Sequence, residues 1–146
     1  MPVKDLVGAQ VKVLGKAKVS IATATTTNLD FGTPDDINLL TNTAYSPGDR
    51  IVAVFDLSTA GTTDTTSVSV QDAPDSSGSI GTPATAVTDV SATGDGLAGG
   101  TGDRYMVVGV RVQPGRPWLR FRTTRASGTT DTTVVQCTVL AIPRQL

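Results

Sequence analysis

Residues able to do chemistry are few in this chain, and the kinds it lacks are as telling as those it has. The 146 residues include no histidine, and all thirteen acidic residues are aspartate. Without histidine, Ser-His and Cys-His nucleophile pairs cannot form, and the commonest general base and metal ligand is missing. Cys137 is the lone cysteine, in phase with Val135 and Val139 in VVQCTVL, so it should be a buried core thiol. It can close no internal disulfide, and a structural zinc needs more Cys or His than one residue supplies.

Paired aspartates remain as a source of glycosidase or calcium chemistry: Asp35–Asp36, Asp72–Asp75 in QDAPDSSGS, and Asp95. Each sits beside Gly, Pro or Ser, where aspartate caps turns through its own side chain. None has the Asp-x-Asp-x-Asp-Gly spacing of a calcium loop. The run GLAGGTGDR lacks the Lys-Ser/Thr ending of a phosphate loop, so it reads as an ordinary connection. No catalytic, cofactor-binding or metal-binding residue is assigned, and the chain is not expected to be an enzyme.

The basic residues are more informative. Net charge is −1, too small to steer nucleic acid or a membrane. Yet the four lysines, Lys4, Lys12, Lys16 and Lys18, all fall in the first eighteen residues, and five of the arginines fall between Arg111 and Arg125. In PWLRFRTTR, Leu119, Phe121 and Thr123 share one face of a strand and Trp118, Arg120 and Arg122 the other. The first face belongs in the core. The second suits an interface anchor or base stacking, or else a solvated face whose Arg stems lie over Trp118. Lys4, Lys12, Lys16, Lys18, Trp118, Arg120 and Arg122 are therefore the candidate partner contacts.

The elements that must position them are strands. Thr, Val and Gly dominate, and β-branched residues favour strands while Gly, Pro and Asp favour turns. Strands are expected at 17–25, 50–57, 66–72, 85–92, 104–112, 118–124 and 133–142, with turns at SPGD and QPGRP. TPDDINLL (33–40) carries helix-start signals and predicts a brief helical turn. GDGLAGGTGD (94–103) is too rich in glycine for a strand and predicts a loop. The expectation is an all-β, antiparallel, jelly-roll-like β-sandwich of about eight short strands over 17–146, with residues 1–16 as an N-terminal arm. No apolar run approaches a membrane span or a signal peptide, so a soluble protein made in a cytoplasm is expected. The hexapeptide GTTDTT occurs at 61–66 and 128–133, each time between strands, which predicts one Thr/Gly-rich rim holding both copies and the glycine loop.

The order of these segments resembles the phage capsid cement (head decoration) proteins of the type found on Bordetella phage, the Bbp16-like family. The likeness runs from about residue 20 to 142: TATTTNLDFG, then GDRIVAVFDL with TSVSVQDAPDSSGSIGTPATAV, then PWLRFRTTRASGTTDTTVVQCTVL. DLVGAQ (5–10) is similar to that family's leading segment, whereas VKVLGKAK (11–18) departs from it as an insertion. The resemblance implies a jelly-roll-like cement protein on the outside of an icosahedral head. Its partners would be the major capsid protein and further copies of itself, as dimer or trimer, with no membrane, nucleic acid or cofactor. A carbohydrate- or receptor-binding module of a phage fibre is the alternative, with Trp118, Tyr45 and Tyr105 as its contacts.

Overall fold

Alternating Val, Ile and Thr carry most of the chain into extended backbone, and the computed structural model places twelve strand segments. It describes residues 11–41, 44–59, 66–89, 96–100, 103–126 and 132–142. The segments are β1 (Lys12–Ile21), β2 (Thr25–Asn28), β3 (Ile37–Asn38), β4 (Arg50–Thr59), β5 (Thr66–Ala73), β6 (Asp75–Ser76), β7 (Ser79–Ile80), β8 (Ala84–Thr85), β9 (Gly96–Gly100), β10 (Arg104–Arg111), β11 (Trp118–Arg125) and β12 (Thr133–Ile142). No helix occurs among the described residues.

Every pairing is antiparallel. One sheet runs β1-β12-β4-β10; the other runs β2-β11-β5-β8, with β3 also on β11, β9 also on β5, and β6–β7 a separate hairpin. β2 and β3 line the same edge of β11, joined to it further by Leu29 N–H to Phe121 C=O and Leu39 N–H to Pro117 C=O, each 2.9 Å. β8 and β9 likewise share β5, so the ten segments of the two large sheets fill eight strand positions. From β4 the chain alternates between sheets through β5, β10, β11 and β12, the double Greek key of a jelly roll.

The core lies between the sheets. Ile51, Ala53, Phe55 and Leu57 of β4 and Val135, Cys137 and Val139 of β12 meet Val68 and Val70 of β5 and Leu119 and Phe121 of β11. The Phe121 ring stands 6.2 Å from Phe55 and 5.5 Å from Phe31, the latter edge-on. Burial of each Val, Ile, Leu or Phe side chain among these contributes about 1.5–3 kcal/mol. Cys137 is buried as its phase required, and its surroundings push the thiol well above its ordinary range.

Both GTTDTT copies end at one end of this core. Their last threonines, Thr66 and Thr133, are fully buried, with hydroxyl oxygens 3.5 Å apart. Thr66 also pairs with Gly100 of β9, so the glycine-rich segment reaches the same end, as expected. Beside them Arg125 is buried and donates from Nη1 to the Ile21 carbonyl at 2.8 Å. Positions 61–65 and 128–131 lie outside the described residues.

Three readings of the sequence change. Residues 12–16, taken as arm, are the first half of β1, while residues 1–10 lie outside the described residues. The helical turn at 33–40 is absent: Ile37 and Asn38 pair with β11 instead, an exchange of local signals for tertiary pairing. The glycine run contains β9, because an edge strand needs only backbone hydrogen bonds to its one partner; its register slips between Thr66 and Val68.

Candidate interaction surface

The predicted contacts do not form one surface. Lys4 lies outside the described residues. Lys12, Lys16 and Lys18 are exposed on β1, at the edge of the four-stranded sheet, whereas Trp118, Arg120 and Arg122 belong to β11 in the opposite sheet. The lysines are themselves divided. Residues directly opposite in an antiparallel pair share a face. Lys16 and Lys18 stand opposite Thr138 and Gln136 on the outer face, while Lys12 stands opposite Ala141, on the core side. A register shift between Val13 and Gly15 causes the switch, since one extra residue inverts the alternation. Gly15 then comes so close to Phe31 that a Cβ would sit 2.9 Å from its ring.

The β11 group is largely internal. Trp118 is 1% exposed, and its indole N–H donates to Asp75 Oδ1 at 2.8 Å. It is therefore no surface anchor: the chain that turns at Asp75–Ile80 lies against it. Asp75 also accepts from Gly78 N–H at 3.0 Å, so it caps its turn as expected. The bond from Trp118, then that from Gly78, holds the Asp75 carboxyl below its usual range. Arg120 donates through Nε and Nη2 to the two oxygens of Asp36, both at 2.9 Å, and that carboxylate raises its affinity for the proton. Asp72, 3% exposed, pairs with Arg116, which also donates to the Asp72 carbonyl at 2.6 Å. Asp36 and Asp72 are thus ion-pair partners rather than turn caps. Arg122 remains half-buried, between Asn28 and Ser69 in register.

The outer face of the four-stranded sheet is different, and the strand registers lay it out row by row. Lys18, Gln136, Asp56 and Tyr105 form one row; Lys16, Thr138, Val54 and Val107 the next; Val13, Leu140, Val52 and Gly109 the third. Beyond them Arg50 stands opposite Arg111. Tyr105 is 76% exposed, Val107 61% and Val13 51%. This apolar stripe was missed from the sequence. Its signal was present: RYMVVGVRV is apolar in both phases, which means either two buried faces or one exposed apolar face.

One corner of that face is built by close approach. Asp89 accepts from Gly109 N–H at 2.7 Å and pairs with Arg50 across that glycine. A Cβ on Gly109 would collide with both side chains. Asp89 N–H to Gly109 C=O and Arg111 N–H to Val87 C=O, both 2.9 Å, fasten this segment along β10. Gly48, Arg50, Val87, Asp89 and Arg111 line a shallow cavity of about 200 Å³ there. No group of three or more metal-ligating side chains occurs among the described residues.

No protein-family model matches the chain, and no curated protein matches it in sequence. Among solved structures it is similar to the enzymatically active domain of tailspike protein 4 of bacteriophage CBA120, at 12% identity and TM-score 0.48 over 92% of this chain and 20% of that one. It is similar also to the C-terminal family 22 carbohydrate-binding module of Clostridium thermocellum Xyn10B, at 12% identity and TM-score 0.45 over 94% of this chain and 88% of that one. A third likeness is to the capsid of Helicobacter pylori bacteriophage KHP30, at 13% identity and TM-score 0.34 over 92% and 94%. The chain spans about a fifth of the tailspike structure. What those proteins bind or cleave belongs to them; the sandwich assignment here stands on the strand pairing itself.

Proposed function

We propose that the chain is a structural cement protein, binding the outside of an icosahedral phage head and stabilising contacts between major capsid subunits. The observation that carries this reading is the open face of the four-stranded sheet, where exposed Val13 lies on the same strand as Lys16 and Lys18 and exposed Val107 and Tyr105 lie across the sheet on β10. The segment order, which resembles that of capsid cement proteins, supports it. The chain acts by binding alone, without catalysis or cofactor. A module that binds only the assembled lattice stabilises that lattice by mass action, and copies grouped as dimers or trimers at local symmetry axes add their contacts.

The fibre-module alternative would need Trp118, Tyr45 and Tyr105 on one ligand. Trp118 is buried, and Tyr45 spends its hydroxyl on Gly115 N–H at 2.6 Å, leaving Tyr105 alone outward. The test is to add the purified chain to heads that lack it and heat them. Decorated heads should release DNA at a higher temperature; bare and decorated heads failing together would contradict the proposal.

A further inference from the structure

The proposed function leaves open which side of the sandwich meets the lattice and what chemistry it meets. The two outer faces differ. On the β2-β11-β5 side, Arg120 is neutralised by Asp36, Trp118 is buried, Arg122 is half-buried between Asn28 and Ser69, and the other outward positions are hydroxyls and amides such as Ser67, Gln71 and Asn28. On the β1-β12-β4-β10 side, the outward charges within paired strands are Lys16, Lys18, Arg50 and Arg111 against Asp56 alone. Asp89, brought in from the side, offsets Arg50. The face thus carries a positive excess on a chain of net charge −1. Half-buried Leu140, Val52 and Val54 join exposed Val13 on β1 to exposed Val107 and Tyr105 on β10, with Lys16 and Lys18 to one side of that line and Arg50 and Arg111 to the other.

An apolar centre with a charged rim is the anatomy of a protein interface. We infer that the outer face of the β1-β12-β4-β10 sheet is the docking face, and that its partner is a carboxylate-bearing, partly apolar protein surface on the capsid subunit. This rests on the cement reading. Four strands about 4.8 Å apart and eight paired residues long cover roughly 500 Å². That is below the roughly 800 Å² that each partner gives to a stable one-to-one complex. A single copy therefore holds weakly, and occupancy comes from many copies on a repeating lattice. The same shortfall disfavours a second free copy as the occupant of this face.

The experiment is co-sedimentation of the full chain with heads of its own phage stripped of it, using wild type, Lys16→Glu/Lys18→Glu, Lys16→Arg/Lys18→Arg, Val107→Ser and, on the opposite face, Asn28→Glu. All altered side chains are exposed, and a melting curve checks that each variant folds. The expected result is at least tenfold weaker binding for the Glu pair and for Val107→Ser, with the Arg pair and Asn28→Glu like wild type. If wild type binds but Asn28→Glu alone releases it, the docking face is wrong and the cement reading survives. If wild type does not bind heads at all, the cement reading itself falls, and this inference with it. Binding to heads that nuclease abolishes, or equal binding to vesicles with anionic headgroups, would overturn the carboxylate partner.

Discussion

Truncating Trp118 to alanine separates a core residue from a surface anchor more sharply than any other single change. The side chain is 1% exposed and is the largest fully buried one among the described residues. Removing a buried tryptophan costs about 3–5 kcal/mol, from lost transfer energy and the cavity left behind. In a domain of this size each kcal/mol lowers Tm by about 4 °C, so the expected drop is about 12–20 °C. Trp118→Phe keeps most of the apolar volume and loses only the bond to Asp75, so its drop should be much smaller. Since Trp118 is the one tryptophan, its fluorescence reports the site directly: blue-shifted emission and slow acrylamide quenching in the folded protein. Binding to heads should be unchanged in Trp118→Phe. A Tm for Trp118→Ala within about 3 °C of wild type, or free quenching of the native protein, would refute the placement of this residue inside the fold.

Other changes test other joints. Asp36→Ala strands a largely buried Arg120 and should cost about 2–3 kcal/mol in urea unfolding, whereas Asp36→Ala/Arg120→Ala should cost less than the two single losses summed. Asp75 has a folded carboxyl held below its unfolded value, so its stabilisation is complete above about pH 4 and lost as pH falls through the lowered value. Asp75→Asn should flatten the acid limb of a Tm–pH curve and leave its slope at neutral pH alone. Cys137, buried with its thiol pushed up, should resist a disulfide reagent at pH 8 in the native protein and react at once in denaturant. Gly109→Val should break the Arg50–Asp89 crossing and speed amide exchange at Asp89 and Arg111.

Period-two alternation made much of this fold legible in the sequence. TVVQCTVLAI is β12 to the residue, and Leu119, Phe121 and Thr123 are buried as their phase required. What alternation cannot say is which elements cover a face from outside. Trp118, Arg120 and Arg122 share a phase, but only the folded chain brings Asp36 and Asp75 over two of them. The same gap hid the apolar stripe, because Val107 and Tyr105 read like core until the outer face of β10 proves to be exposed. At 33–40, genuine helix-start chemistry lost to ion pairing by Asp36 and strand pairing by Ile37. The lysines misled for a smaller reason: a single register shift in β1 sends Lys12 one way and Lys16 and Lys18 the other.

The central claim, that this sandwich is a cement protein on the outside of a phage head, is tested most directly by cryo-electron microscopy of heads with and without the chain. The account predicts added density of the size of this sandwich on the outer surface at local symmetry axes, with the β1-β12-β4-β10 sheet turned toward the shell. Heads indistinguishable in the two samples, or density confined to the tail, would contradict it.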